Sequence, residues 1–144
     1  MQISGEWYVG SDGTARPVLR GEILTGNGVW IKEPFLVDTG ADSTVSSAAL
    51  LSRLHLPTFA PQDRLSGVGG VTESVMVETH IRFSRETGSK VVFRGFYAAL
   101  ARTEMLDISV LGRDILGFFA VIIDQPGNTV CLLGQRHQYT ITRI

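Results

Sequence analysis

The sequence has a single cysteine, Cys131, which excludes an intrachain disulfide. Its setting, "NTVCLLG", is one position of an apolar strand and predicts a packed core thiol, since a reactive cysteine sits near a base or in a polar turn. Long hydrophobic runs are also missing. The longest, Ile115 to Ile123, lies between Asp114 and Asp124, far short of the ~20 residues a membrane helix needs, so it is expected to be core and no membrane partner is expected. Charge of one sign is absent: 13 basic and 14 acidic residues are scattered and sum to −1, leaving no footprint for nucleic acid. His55, His80 and His137 stand apart without paired metal spacing, so neither a metal nor a cofactor is expected, and each is read as a surface residue. Gly-x-Ser-x-Gly does not occur, and "GVGGVT" lacks a phosphate-binding fingerprint. The start "MQISGEWYVGSDG" has neither the basic residues nor the apolar stretch of a secretory signal, which makes a cytoplasmic location the default expectation.

What is present is a set of short β-rich segments. With 144 residues, 44% of them apolar, the chain suits one domain spanning residues 1–144 with a modest core. "EWYV", "PVLRGEILT", "VWIKEPFLVD", "VTESVMVETHIRFS", "KVVFRGFYAAL", "FAVIID" and "TVCLL" are predicted strands, and "GSDGT", "TGNG", "ETGS" and "DQPGN" supply the hairpin turns. Val75, Val77, Thr79, Ile81 and Phe83 alternate with Met76, Glu78, His80 and Arg82, which puts His80 on a solvent face. Helical spacing is confined to "SSAALLSRLHLP", with Leu50, Leu51 and Leu54 on one face, Ser46 or Ser47 as the cap and Pro57 after the end. A second short helix is expected near "GRDILGF".

"FLVDTGADSTVSS", residues 35 to 47, drives an apolar strand into an aspartate. A charged carboxylate at such a place costs several kcal/mol unless hydrogen bonds, water or another carboxyl attend it. The neighbours suit that need: Gly40 is expected to permit a tight turn with amides facing inward, Thr39 offers a hydroxyl, and Asp42 adds an acid. A calcium loop does not fit, because the positions that would need glycine and an acidic ligand hold Ser43 and Ala49. A plain turn between strand and helix does.

Asp38-Thr39-Gly40-Ala41-Asp42-Ser43-Thr44-Val45 resembles the active-site loop of retropepsin-like aspartic proteases. Val110-Leu111-Gly112-Arg113-Asp114-Ile115-Leu116 is similar to that family's second signature, and Ser66-Gly67-Val68-Gly69-Gly70 to the tip of its flap hairpin. The resemblance implies a mainly β fold, a closed barrel or sandwich with one or two short helices and a flap. It implies Asp38, Thr39 and Gly40 as catalytic residues. It further implies Ala41, Asp42, Gly67, Val68, Gly69, Gly70, Val110 and Leu111 at the substrate, and Gly112 and Arg113 in support, Arg113 pairing with Asp42. Leu36, Val45, Val68, Val110 and Ile115 would line apolar pockets. Only one Asp-Thr-Gly is present, so an active enzyme would be a homodimer cutting polypeptides between two Asp38 side chains. The alternative is a silent dimer that binds extended peptides, or a scaffold kept only to dimerise. The sequence departs from the family pattern at Ser66, in the longer connection over 46–62, and in the tail "GQRHQYTITRI". Viral relatives interleave their terminal strands in the dimer, and Tyr139, Ile141 and Arg143 are the candidates for such a strand here.

Overall fold

A computed structural model describes residues 1–61, 65–67, 70–72, 74–102, 107–134 and 140–142. The alternating and apolar segments form strands: β1 (Gln2–Ser4), β2 (Glu6–Val9), β3 (Ala15–Leu24), β4 (Trp30–Val37), β5 (Val45–Ser46), β6 (Leu65–Gly67), β7 (Gly70–Thr72), β8 (Ser74–Ser84), β9 (Lys90–Leu100), β10 (Ser109–Leu111), β11 (Ala120–Asp124) and β12 (Thr129–Leu133). Two helices interrupt them, α1 (Ala48–Leu54) and α2 (Arg113–Leu116). The fold is mainly β.

The large sheet runs β2-β3-β4-β10-β5-β9-β8 and curls until β3 meets β8, closing a barrel. Glu22 lies opposite Arg82 and Ile23 opposite Ile81 at that seam. Closure suits the sequence because β3, β4 and β8 each turn one apolar row inward: Leu19 and Ile23, Phe35 and Val37, Val77, Ile81 and Phe83 are all almost wholly buried. Each such side chain contributes about 1.5–3 kcal/mol through burial, and the Phe35 and Phe83 rings meet edge to face at 5.9 Å. A second sheet, β1-β12-β11, packs Ile3, Val130 and Leu132 into the same core, and Trp7 ties it to β2 by donating from Nε1 to the carbonyls of Asp124 and Thr129, each at 3.2 Å.

α1 starts where expected. Ser47 is its cap, accepting from Leu50 N at 3.2 Å, and the helix stops at His55, whose φ of 52° is left-handed. Leu50 and Leu54 plug the core, while Leu51 is half-buried. Cys131 is a buried thiol, and burial pushes its pKa up. Among the described residues no helix is long and apolar enough to cross a membrane.

Three expectations need correction. The run from Ile115 to Ile123 is not uniformly core: Ile115 and Leu116 are buried, but Phe118 is 70% and Ile123 42% exposed, because α2 ends and the chain swings out to become the last strand of the small sheet. His80 sits on the outer face but is half-covered, edge-on to Trp30 at 6.5 Å, with the Arg82 guanidinium stacked 3.9 Å from the same ring. β1, β5 and β10 have only two or three residues each and were not predicted as strands; strands so short show no alternation to detect. The tail strand is an expectation for a dimer; in the protomer Ile141 is in no strand and is 96% exposed, and Tyr139 and Arg143 lie outside the described residues.

Glu22 links the closing seam, accepting from Arg82 Nε and Lys90 Nζ, each at 3.1 Å. The Arg82 hydrogen bond first, then that from Lys90, hold its pKa below the usual value. A lowered folded pKa means the stabilisation is present above the ordinary glutamate value and is lost as pH falls through the lower, folded one. Glu22→Gln is therefore expected to cost about 1 kcal/mol at pH 7, with the gap to wild type closing below about pH 4; denaturant unfolding across that range checks it, and a constant gap would contradict it.

Candidate active site

β4 and β10 run parallel, Val37 beside Leu111, so the two chains leave the barrel side by side. Asp38 is the first residue past β4, and its N–H still donates to Leu111 O at 3.2 Å. The chain then turns: Ala41 N donates to Asp38 O at 3.2 Å, and Gly40 N donates to the Asp38 carboxylate at 2.9 Å. The carboxylate is half-buried, and among the described residues this is its one hydrogen bond. Gly40 sits in the expected turn with its amide facing the carboxylate, but it is not in the left-handed region, where Gly13, Gly28 and Gly88 lie, so the turn does not need a glycine conformation. Its value is room, since a Cβ there would stand 3.2 Å from Asp38 Oδ1. Thr39 and Gly40 are both exposed.

The loop is clamped from below by α2. Arg113 N donates to Ala41 O at 2.8 Å and Asp114 N to Asp42 O at 3.2 Å. The Arg113 side chain pairs with the Asp42 carboxylate and donates from Nη1 to Thr39 O at 2.9 Å. Asp42 is 86% exposed, so screening leaves this pair little energetic weight. Its contribution is orientation. Gly112 has an ordinary φ of −100°, yet no side chain fits there, because a Cβ would run into the backbone of Ser43.

Asp114 was not singled out by sequence reasoning, although it carries much of this clamp. Its carboxylate accepts from Thr44 N at 3.0 Å on both oxygens, from Thr44 Oγ1 at 2.7 Å and from its own helix at Ile115 N at 2.9 Å. Thr44, 1% exposed, also accepts from Gly112 N at 3.1 Å through the same hydroxyl. The available signal was an acid in the first turn of a predicted helix, where a carboxylate finds free N–H groups. Behind this network Tyr97 donates to Phe93 O at 3.0 Å, and its pKa is pushed up to about 12, first by burial and then by the Asp114 charge.

Leu111 faces the core with no exposed surface, so its expected place at the substrate is corrected; it supports Val37 from within. Ile115 is likewise core rather than pocket lining, since α2 turns it inward. Val110 is 8% exposed, and Leu36 and Val45 are half-buried. Ala41 is half-buried at the loop. In the expected flap, β6 and β7 pair as a hairpin with Gly67 opposite Gly70; Val68 and Gly69 lie outside the described residues. Among the described residues no group of three acidic, histidine or cysteine side chains is placed to hold a metal.

A closed barrel that delivers a half-buried aspartate on a braced Asp-Thr-Gly loop is the architecture of an aspartic protease of the retropepsin type. The profile described as aspartyl protease matches residues 22–115, and the chain belongs to that family. Among solved structures it is similar to the EIAV protease complexed with the inhibitor HBY-793, at 26% identity over 71% of this chain and 86% of that one, with a TM-score of 0.51. It shares its fold with a retropepsin-like aspartic protease from Rickettsia conorii, at 20% identity over 92% and 98% of the two chains and a TM-score of 0.58. No curated protein matches the chain.

Removing the Asp114 carboxylate leaves the buried Thr44 hydroxyl and amide without their acceptor, so Asp114→Ala is expected to cost about 2 kcal/mol, while Asp42→Ala, at an exposed pair, stays close to wild type. Chemical denaturation of both variants checks the contrast. Equal losses, or a larger loss in Asp42→Ala, would contradict the assignment of the clamp to Asp114.

Proposed function

We propose that the chain is an aspartic endopeptidase that works as a homodimer, with the Asp38 side chains of two copies sharing one proton over a bound water. The observation that carries this reading is Asp38 itself: a half-buried carboxylate with one backbone donor, on a loop fixed to β10 and α2, present once per chain. Two carboxylates in contact cannot both ionise, so one is held charged and the other neutral. The charged one takes a proton from the water as its oxygen adds to the peptide carbonyl carbon. The neutral one donates a hydrogen bond to the carbonyl oxygen, stabilising the charge that grows there. The tetrahedral intermediate collapses when a proton passes to the amide nitrogen and the C–N bond breaks, leaving a carboxyl and an amine. No covalent enzyme intermediate is involved.

Thr39 would brace the paired loops across the twofold axis. Gly40, by its missing Cβ, leaves the carboxylate open to substrate. Ala41, Asp42 and Val110 would meet the substrate beside the loop, and Gly67 to Gly70 would cover it from the flap, closing water away from the dyad. Gly112 and Arg113 hold the loop's position. Because the shared proton belongs to the pair, the rate would follow a bell-shaped pH profile whose two limbs belong to the dyad as a whole.

Incubation with an unfolded protein mixture between about pH 4 and 7 tests the reading. Cleavage is expected, is blocked by a statin-type transition-state inhibitor, and falls by roughly 10²–10⁴-fold in Asp38→Asn. Cleavage that persists in Asp38→Asn would overturn the proposal, and peptide binding without turnover would favour a silent peptide-binding dimer.

A further inference from the structure

Among the described residues β6 and β7 pair only with each other, in a sheet of their own. On one side the hairpin runs straight into β8, which starts two positions after Thr72. On the other side the chain meets the barrel at Phe59, beyond α1. There Phe59 N donates to Met76 O and Met76 N donates to Phe59 O, both at 2.8 Å, the doubly bonded pair of an antiparallel ladder formed outside the named strands. Six positions separate Phe59 from Leu65, but four separate Thr72 from Met76. Unequal sides do not fix a common register, so the last matched pair below the hairpin, Phe59 with Met76, sets where the ribbon leaves the barrel.

That pair ends a continuous row. Met76 lies opposite Ala98 on β9, Ala98 beside Val45 on β5, Val45 opposite Val110 on β10, and Val110 beside Leu36 on β4, two residues before Asp38. Every member of the row beyond Phe59 is buried or half-buried. Phe59 is 48% exposed, and a backbone bridge needs no aromatic ring. Its ring instead meets that of Phe96 edge to face, with centroids 5.9 Å apart. Phe96 is itself 57% exposed, two positions before Ala98 on β9. Such a pair is attractive beyond the area it covers, and it joins the residue that starts the ribbon to the strand at the centre of the row.

We infer that Phe59 is a positioning residue for bound peptide: its ring, held by Phe96, locks the Phe59–Met76 bridge, and with it the root of the β6–β7 hairpin, to the row of strands that delivers Asp38. The inference rests on the reading above in taking the hairpin to cover the substrate, and it falls on two residues outside all three signature motifs. A root fixed in advance leaves less freedom to be lost when a peptide binds. The effect therefore falls on binding, while the chemical step stays with Asp38.

Steady-state cleavage of an unfolded protein, with calorimetric titration of a statin-containing peptide, tests it. Phe59→Ala and Phe96→Ala are each expected to raise KM and the peptide Kd roughly three- to tenfold, with kcat within about twofold of wild type, and to speed amide exchange at Met76. The double variant is expected to lose no more than either single one, because the two rings form one contact. Phe59→Tyr keeps the ring and is expected to retain wild-type values, as is Val29→Ser, at an exposed position in the β3–β4 turn. Wild-type KM and Kd in Phe59→Ala, a fall in kcat alone, additive losses in the double variant, or a wild-type chain that neither cuts nor binds peptide would overturn the role. The two readings fail separately: weaker binding of the statin-containing peptide in Phe59→Ala, by a chain that cuts nothing, keeps the positioning role and removes the protease. Asp38-dependent cleavage with a wild-type KM in Phe59→Ala does the reverse.

Discussion

The loop bearing Asp38 is held by a second carboxylate, Asp114, through the buried hydroxyl and amide of Thr44. Everything at the site follows from that attachment. β4 and β10 must leave the barrel in parallel for the loop and α2 to meet, Gly112 must lack a side chain for Ser43 to pass, and the Gly112 amide must reach the Thr44 hydroxyl. The backbone bonds from Arg113 and Asp114 to Ala41 and Asp42 then fix the remaining freedom of the turn. An aspartate at a strand end is ordinary, but one whose loop is bonded to β10 and α2 can be set against a partner with the accuracy that shared-proton chemistry requires.

Much of the fold was legible because long strands advertise themselves. β3, β4, β8 and β9 alternate or run apolar over eight or more residues, with glycine-containing turns at their hairpins, and all were placed to within about two residues except at the start of β8. α1 was readable from its leucine spacing and its serine cap. The strands that escaped notice are held in place by their neighbours: β5 contributes only Val45 and Ser46, and it is a strand because β10 and β9 flank it. Barrel closure was legible only through the family resemblance, since a pairing between Ile23 and Ile81 leaves no local trace.

At the site, the motif gave the loop and the helix, and chemistry gave the need for partners around Asp38. It did not give Asp114, whose importance comes from where a folded chain places Thr44, 70 positions earlier. Nor could periodicity decide the side chains of Leu111 and Ile115, because a short apolar stretch reads the same whether it faces a ligand or a core. The same limit applies to Phe118 and Ile123. Their apolarity suggested burial, while the protomer leaves Ile123 partly exposed on β11 and Phe118 stacked on Phe93 at the surface.

The central claim is that one active centre needs an Asp38 from each of two chains. Mixing wild-type protein with inactive Asp38→Asn protein under conditions of free subunit exchange tests it most directly. If both carboxylates are required, activity follows the square of the wild-type fraction, since only wild-type pairs cut. Activity that falls in simple proportion to the wild-type fraction would mean that each chain works alone, and would contradict the account.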